Sequence, residues 1–303
     1  EVSTGGSIVI TSGMSKQSAS GRISISSANS GSEGASGSMT MKTGTATGGF
    51  SSGSISVSSG ISSGGAGGSI TLSVGNGFSG AGGAVSVSAG DSVQTNGGDV
   101  TVKSGGSVEG NSGSVKLSTS NAGAEGKSGN IGLVTGSATT GNTGSVSLTT
   151  GISEQGRSGD ISISVGGSAG EAVGGSVSLT AGSSAERTGG SVLISSGGSA
   201  EAGSGSIKIS SPNAGNEGSS GAMTLQTGTA SAGSSGSLRV RTGSARDGVA
   251  GSISLSVGSA TTASGDVTLV AGDSEASTGG AISISTGASA LVSSGELSLR
   301  TAN

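Results

Sequence analysis

The feature that most constrains this chain is a short unit that recurs about every fifteen residues. It reads Gly, then Ser, Asp or Ala, then two aliphatic residues separated by one position, then a small residue and Gly. The aliphatic pairs are Ile8/Ile10, Ile23/Ile25, Met39/Met41, Ile55/Val57, Ile70/Leu72, Val85/Val87, Val100/Val102, Val115/Leu117, Ile131/Leu133, Val146/Leu148, Ile161/Ile163, Val177/Leu179, Val192/Ile194, Ile207/Ile209, Met223/Leu225, Leu238/Val240, Ile253/Leu255, Val267/Leu269, Ile282/Ile284 and Leu297/Leu299. Twenty copies begin at intervals of 14 to 16 residues between Ile8 and Leu297. Self-similarity at a fixed period marks a repeat architecture, so the excess of Gly and Ser does not by itself mean a disordered linker.

Alternation at a period of two with β-branched residues is a strand pattern, and the three- and four-residue spacings of a helix are missing. A sandwich needs edge and central strands that differ, whereas these twenty units are alike. The expectation is therefore an all-β, single-stack β-solenoid, similar to a parallel β-helix, with about 20 coils of roughly 15–16 residues forming one continuous domain over residues 1–303. At the strand spacing of a sheet, twenty coils predict a rod on the order of 95 Å long.

A third position in each unit is consistently small or β-branched. It reads Ser12, Ser27, Thr43, Ser59, Val74, Ala89, then Ser104, Thr119, Thr135, Thr150, Val165, Ala181, then Ser196, Ser211, Thr227, Thr242, Val257, Ala271. Six units thus form a super-repeat of about 92 residues, because Asn29, Asn121 and Asn213 recur at that interval with Glu33, Glu125 and Glu217 in step. The expected role of these Asn loops is turn formation, with Asn adopting the left-handed conformation and Gly at the corners supplying positive φ or close approach.

Composition excludes most catalytic chemistry. Among 303 residues there is no His, Cys, Trp or Tyr, which removes imidazole- and thiol-based nucleophiles, His or Cys metal sites and disulfides. Phe50 and Phe78 are the only aromatic residues and Pro212 the only proline. The formal net charge of −4 gives no electrostatic footprint for nucleic acid. The run Ile8-Val9-Ile10 is far short of the roughly 20 residues that span a bilayer, so no membrane insertion is expected.

Calcium-binding β-rolls place Asp in regular columns, but here Asp99, Asp160 and Asp266 precede aliphatic pairs while Asp91, Asp247 and Asp273 lie in loops. Glu33, Glu125 and Glu217 would stand about 29 Å apart on a ladder, too far to share an ion. A polysaccharide enzyme of the pectate-lyase type needs a groove of converging acids and bases, for which the loops are too short. The expectation is accordingly no catalytic, metal or cofactor-binding residue and no enzymatic activity.

The positions between and just after the aliphatic pairs are mostly Ser and Thr, interrupted by Lys42, Lys103, Lys116, Lys208, Arg239, Arg241 and Arg300. These hydroxyl rows resemble those of insect-type ice-binding proteins, although no unit has Thr at both outward positions. No Asn lies in an Asn-x-Ser/Thr sequon, which leaves the exposed hydroxyls as candidates for O-linked glycans. The first and last units show no cap, from which either a longer repeat chain or end-to-end self-association is expected.

Stretches such as GGSVSLTAG (174–182), GGSVLISSGG (189–198) and SGDVTLVAGDS (264–274) resemble the Gly/Ser-rich tandem-repeat extracellular proteins of diatoms and related heterokont algae. The resemblance implies an extracellular or cell-surface location and a structural role, and transfers no site residue. On this reading the chain is the structural shaft of a fibre, filament or surface appendage. The alternative is a binding module, either an adhesin stalk or an ice- or glycan-binding face.

Overall fold

A computed structural model describes residues 5–169 and 172–301. The chain divides into two units, Glu1–Thr150 and Gly151–Asn303. Among the described residues there is no helix and no strand. This overturns the β-solenoid expectation, and with it the ladder of stacked coils and the rod length derived from that ladder. The terminal residues 1–4 and 302–303, on which the expectation of uncapped ends partly rests, lie outside the described residues.

The physical reason lies in what each repeat offers. A solenoid coil must order about fifteen residues, many of them Gly with the largest entropic cost, and here the recurring pair and at most a few further aliphatic side chains per coil are available to offset it. Among the described residues no side chain is buried. In every pair after Ile8/Ile10 the first aliphatic residue is about half to two-thirds exposed, as at Ile23 (49%), and the second is more so, as at Ile25 (70%). A small third-column residue adds little apolar area to either.

What the repeat does build is a series of local loop closures. The Gly21 N–H donates to the Gly13 carbonyl at 2.9 Å, and the same nine-residue closure joins Gly98 to Gly90, Gly113 to Gly105, Gly190 to Gly182, Gly205 to Gly197, Gly280 to Gly272 and Gly295 to Gly287, all at 2.8–2.9 Å. These bonds satisfy backbone groups within one repeat, between the end of one aliphatic pair and the approach to the next. They do not link one pair to another, which is what a sheet would require.

The six-unit super-repeat is visible in these closures. The bonds donated by Gly98 and Gly113 recur at Gly190 and Gly205, 92 residues on, and again at Gly280 and Gly295, 90 further. The three Asn loops form turns at 32–33, 124–125 and 216–217. In the second and third, Gly126 donates to the Gly123 carbonyl at 3.2 Å and Gly218 to Gly215 at 3.5 Å.

Glycine serves here through close approach more than through left-handed backbone. Only Gly48 (φ 74°), Gly49 (φ 84°) and Gly233 (φ 111°) have positive φ among the described residues, and no non-glycine residue does. The expectation that Asn29, Asn121 and Asn213 adopt the left-handed conformation is therefore corrected. The second half of the corner argument holds: the glycine two positions before a pair lies against the third-column residue of the preceding repeat. A Cβ at Gly113 would stand 3.4 Å from Ser104 Cβ, and one at Gly190 3.4 Å from Ala181 Cβ.

Candidate functional site

Among the described residues no constellation of reactive groups is assembled. Among the described residues no three acidic side chains come together to hold a metal ion. Glu33, Glu125 and Glu217 each sit in a separate exposed turn. Asp160 is paired with Arg157 through a two-pronged contact, Nη2 to Oδ1 at 2.8 Å and to Oδ2 at 3.0 Å, and both side chains are exposed. Asp91, Asp99, Asp247, Asp266 and Asp273 are also exposed. A surface hollow of about 460 Å³ is lined by Arg241, Thr242, Gly243 and Ser244, four consecutive residues that bring in no group from elsewhere in the sequence. Among the described residues no helix is long and apolar enough to cross a membrane.

The recurring local feature that sequence reasoning missed is a serine two positions after the corner glycine. Its hydroxyl accepts a hydrogen bond from the backbone N–H three residues on: Ser15 from Ser18, Ser62 from Gly65, Ser92 from Thr95, Ser107 from Gly110, Ser153 from Gly156, Ser184 from Arg187, Ser199 from Ala202, Ser274 from Ser277 and Ser289 from Val292, all at 2.8–3.0 Å. This is the side-chain-to-backbone turn that Ser favours, because its short hydroxyl reaches an N–H that the bend leaves unpaired.

Among the described residues the serine turn accompanies every nine-residue Gly-to-Gly closure. All seven closed loops carry it, at Ser15, Ser92, Ser107, Ser184, Ser199, Ser274 and Ser289. It does not suffice alone, since the loops after Gly60 and Gly151 have the serine bond without the closure. Where the position is not Ser, as at Gly77, Ala138, Ala230 and Ala245, neither bond is present among the described residues.

The signal was available in the sequence, as Gly-x-Ser recurring in phase with the super-repeat. Ser15, Ser107 and Ser199 stand 92 residues apart, as do Ser92 and Ser184. A pattern search directed at aliphatic residues passes over it, because Ser is abundant throughout. Chemically the arrangement orders loops and leaves the remaining hydroxyls, amines and carboxylates dispersed. Comparison with known protein families, with characterised proteins and with solved structures gives no match.

Proposed function

We propose that this chain is a structural repeat element of an extracellular fibre, filament or cell-surface appendage, acting through repetition and not through a catalytic site. The observation that carries this reading is uniformity. An aliphatic pair, a close-packed glycine and, in phase, a serine-turned loop recur along the sequence, and among the described residues no loop gathers chemistry-bearing groups.

Two further features support it. The aliphatic pairs remain exposed in the single chain, and apolar surface in a regular series is what self-association uses. The chain exposes 30,124 Å², against about 11,000 Å² for a compact protein of its mass. A protein with so little internal burial gains stability by associating, either end to end or within a longer chain. The exposed Ser and Thr rows keep the rest of the surface hydrophilic and are open to O-linked glycans. The resemblance to Gly/Ser-rich algal repeat proteins points to the same extracellular setting.

Negative-stain microscopy and sedimentation over a range of concentrations test the reading. Elongated assemblies that lengthen with concentration are expected. A chain that stays monomeric at the highest soluble concentration would contradict a fibre-forming role.

A further inference from the structure

Two asparagines in this chain, Asn76 and Asn96, are followed by glycine. Both are exposed, and they lie in successive loops of the same length, 75–83 and 90–98. An Asn-Gly pair is chemically reactive because the glycine nitrogen, unhindered by a Cβ on its own residue, can reach the preceding side-chain carbonyl. We propose that Asn76 is a site of spontaneous succinimide formation and isomerisation, and that loop closure protects Asn96 from the same reaction.

The step balances without any cofactor. The Gly77 nitrogen loses its proton to solvent base and forms a bond to Cγ of Asn76. The Cγ–Nδ2 bond breaks, and the Nδ2 amino group takes up a proton from solvent and leaves as ammonia. Water then opens the five-membered imide at one of its two carbonyls, giving aspartate or isoaspartate. No electrons change hands, and water is the only co-reactant. The product carries one more negative charge, and in the isoaspartate form one more methylene in the backbone.

The two loops hold their asparagines differently. Asn96 is bracketed by bonds: Thr95 before it donates its N–H to Ser92 Oγ at 3.0 Å and shares a hydroxyl contact with Ser92 at 3.0 Å, and Gly98 closes the loop onto the Gly90 carbonyl at 2.9 Å. Ring closure needs rotation of the backbone between Asn96 and Gly97, within the segment these bonds restrain. The loop 75–83 has glycine where the other has Ser92, so the serine turn cannot form, and no Gly-to-Gly closure is present. A side chain at Gly77 would overlap the carbonyl oxygens of Gly80 and Ala81, so the fold itself requires glycine there and keeps the reactive pair in place.

Timed incubation of the full chain in mildly alkaline buffer, followed by peptide mapping and isoaspartate quantification, tests this. Asn76 is expected to convert about twofold to tenfold faster than Asn96, the range set by the net strength of one hydrogen bond. In concentrated urea the two rates should converge, which separates loop restraint from the different preceding residues, Gly75 and Thr95. The variant S92A should raise the Asn96 rate and leave Asn76 unchanged. Equal native rates, faster conversion at Asn96, or a native difference that persists in urea would each overturn the proposal.

Discussion

The loops 75–83 and 90–98 are successive, span the same number of residues between glycines, and each follow an aliphatic pair, yet only the second closes on itself. In 90–98 a serine hydroxyl turns the chain at Thr95, and the Gly98 N–H meets the Gly90 carbonyl at 2.9 Å. In 75–83 the equivalent position is Gly77, whose backbone packs against the Gly80 and Ala81 carbonyls. The serine hydroxyl accompanies the hydrogen-bonded bend, and where Gly77 stands in its place the bend is sterically packed. The same choice recurs along the sequence, since the unclosed loops 136–144 and 228–236 have Ala138 and Ala230 at that position.

The comparison can be broken most severely at Gly77. The substitution Gly77→Ala must displace backbone carbonyls, so amide chemical shifts should change throughout 76–83, whereas Gly80→Ala, with nothing within 4 Å of its Cβ, should leave them nearly unchanged. A smaller effect is expected on removing the serine. Ser92→Ala should speed hydrogen exchange at Thr95 and at Gly98 by about twofold to tenfold, while Gly113, in the next closed loop, keeps its native rate.

A gain of structure sharpens the rule further. Ala245 stands two residues after Gly243, where the related loops have Ser62 and Ser153. Introducing the hydroxyl with Ala245→Ser should slow exchange of the Gly248 amide by a factor of about two to three, without creating a Gly-to-Gly closure. The smallest effect belongs to the ion pair of Arg157 and Asp160. Both side chains are largely exposed (80% and 73%), so Asp160→Asn should leave exchange at Gly156, held by Ser153, unaltered at moderate salt.

Much of the local organisation was legible in the sequence, and the tertiary expectation drawn from it was not met. The period of fifteen, the super-repeat and the close-packed role of glycine all follow from reading Gly, aliphatic and small positions in register. The structure expresses each of them, for example in the approach of Gly190 to Ala181. The step from alternating residues such as Val100 and Val102 to stacked strands failed for a physical reason. Alternation specifies which side chains share a face, but a sheet also needs a neighbouring backbone to pair with and a core to bury into. Val100 is 56% exposed and Val102 75%, so neither has found one.

The candidate site follows the same division. The lack of His and Cys and the scattering of Asp along the chain were readable directly. The serine turns were not read because Ser occurs at so many positions that its phase with Gly carries the information, not its presence. The left-handed Asn turns were expected from residue preference alone. Gly123 and Gly126, joined across Ala124 and Glu125, make the turn without them.

Residue-resolved amide hydrogen exchange tests the central claim most directly. Local closure without a sheet predicts slowed exchange at Gly21, Gly98, Gly113, Gly190, Gly205, Gly280 and Gly295, with the amides within the aliphatic pairs exchanging freely. Protection of alternate amides within those pairs, repeated every fifteen residues, would reveal a continuous backbone ladder and contradict it.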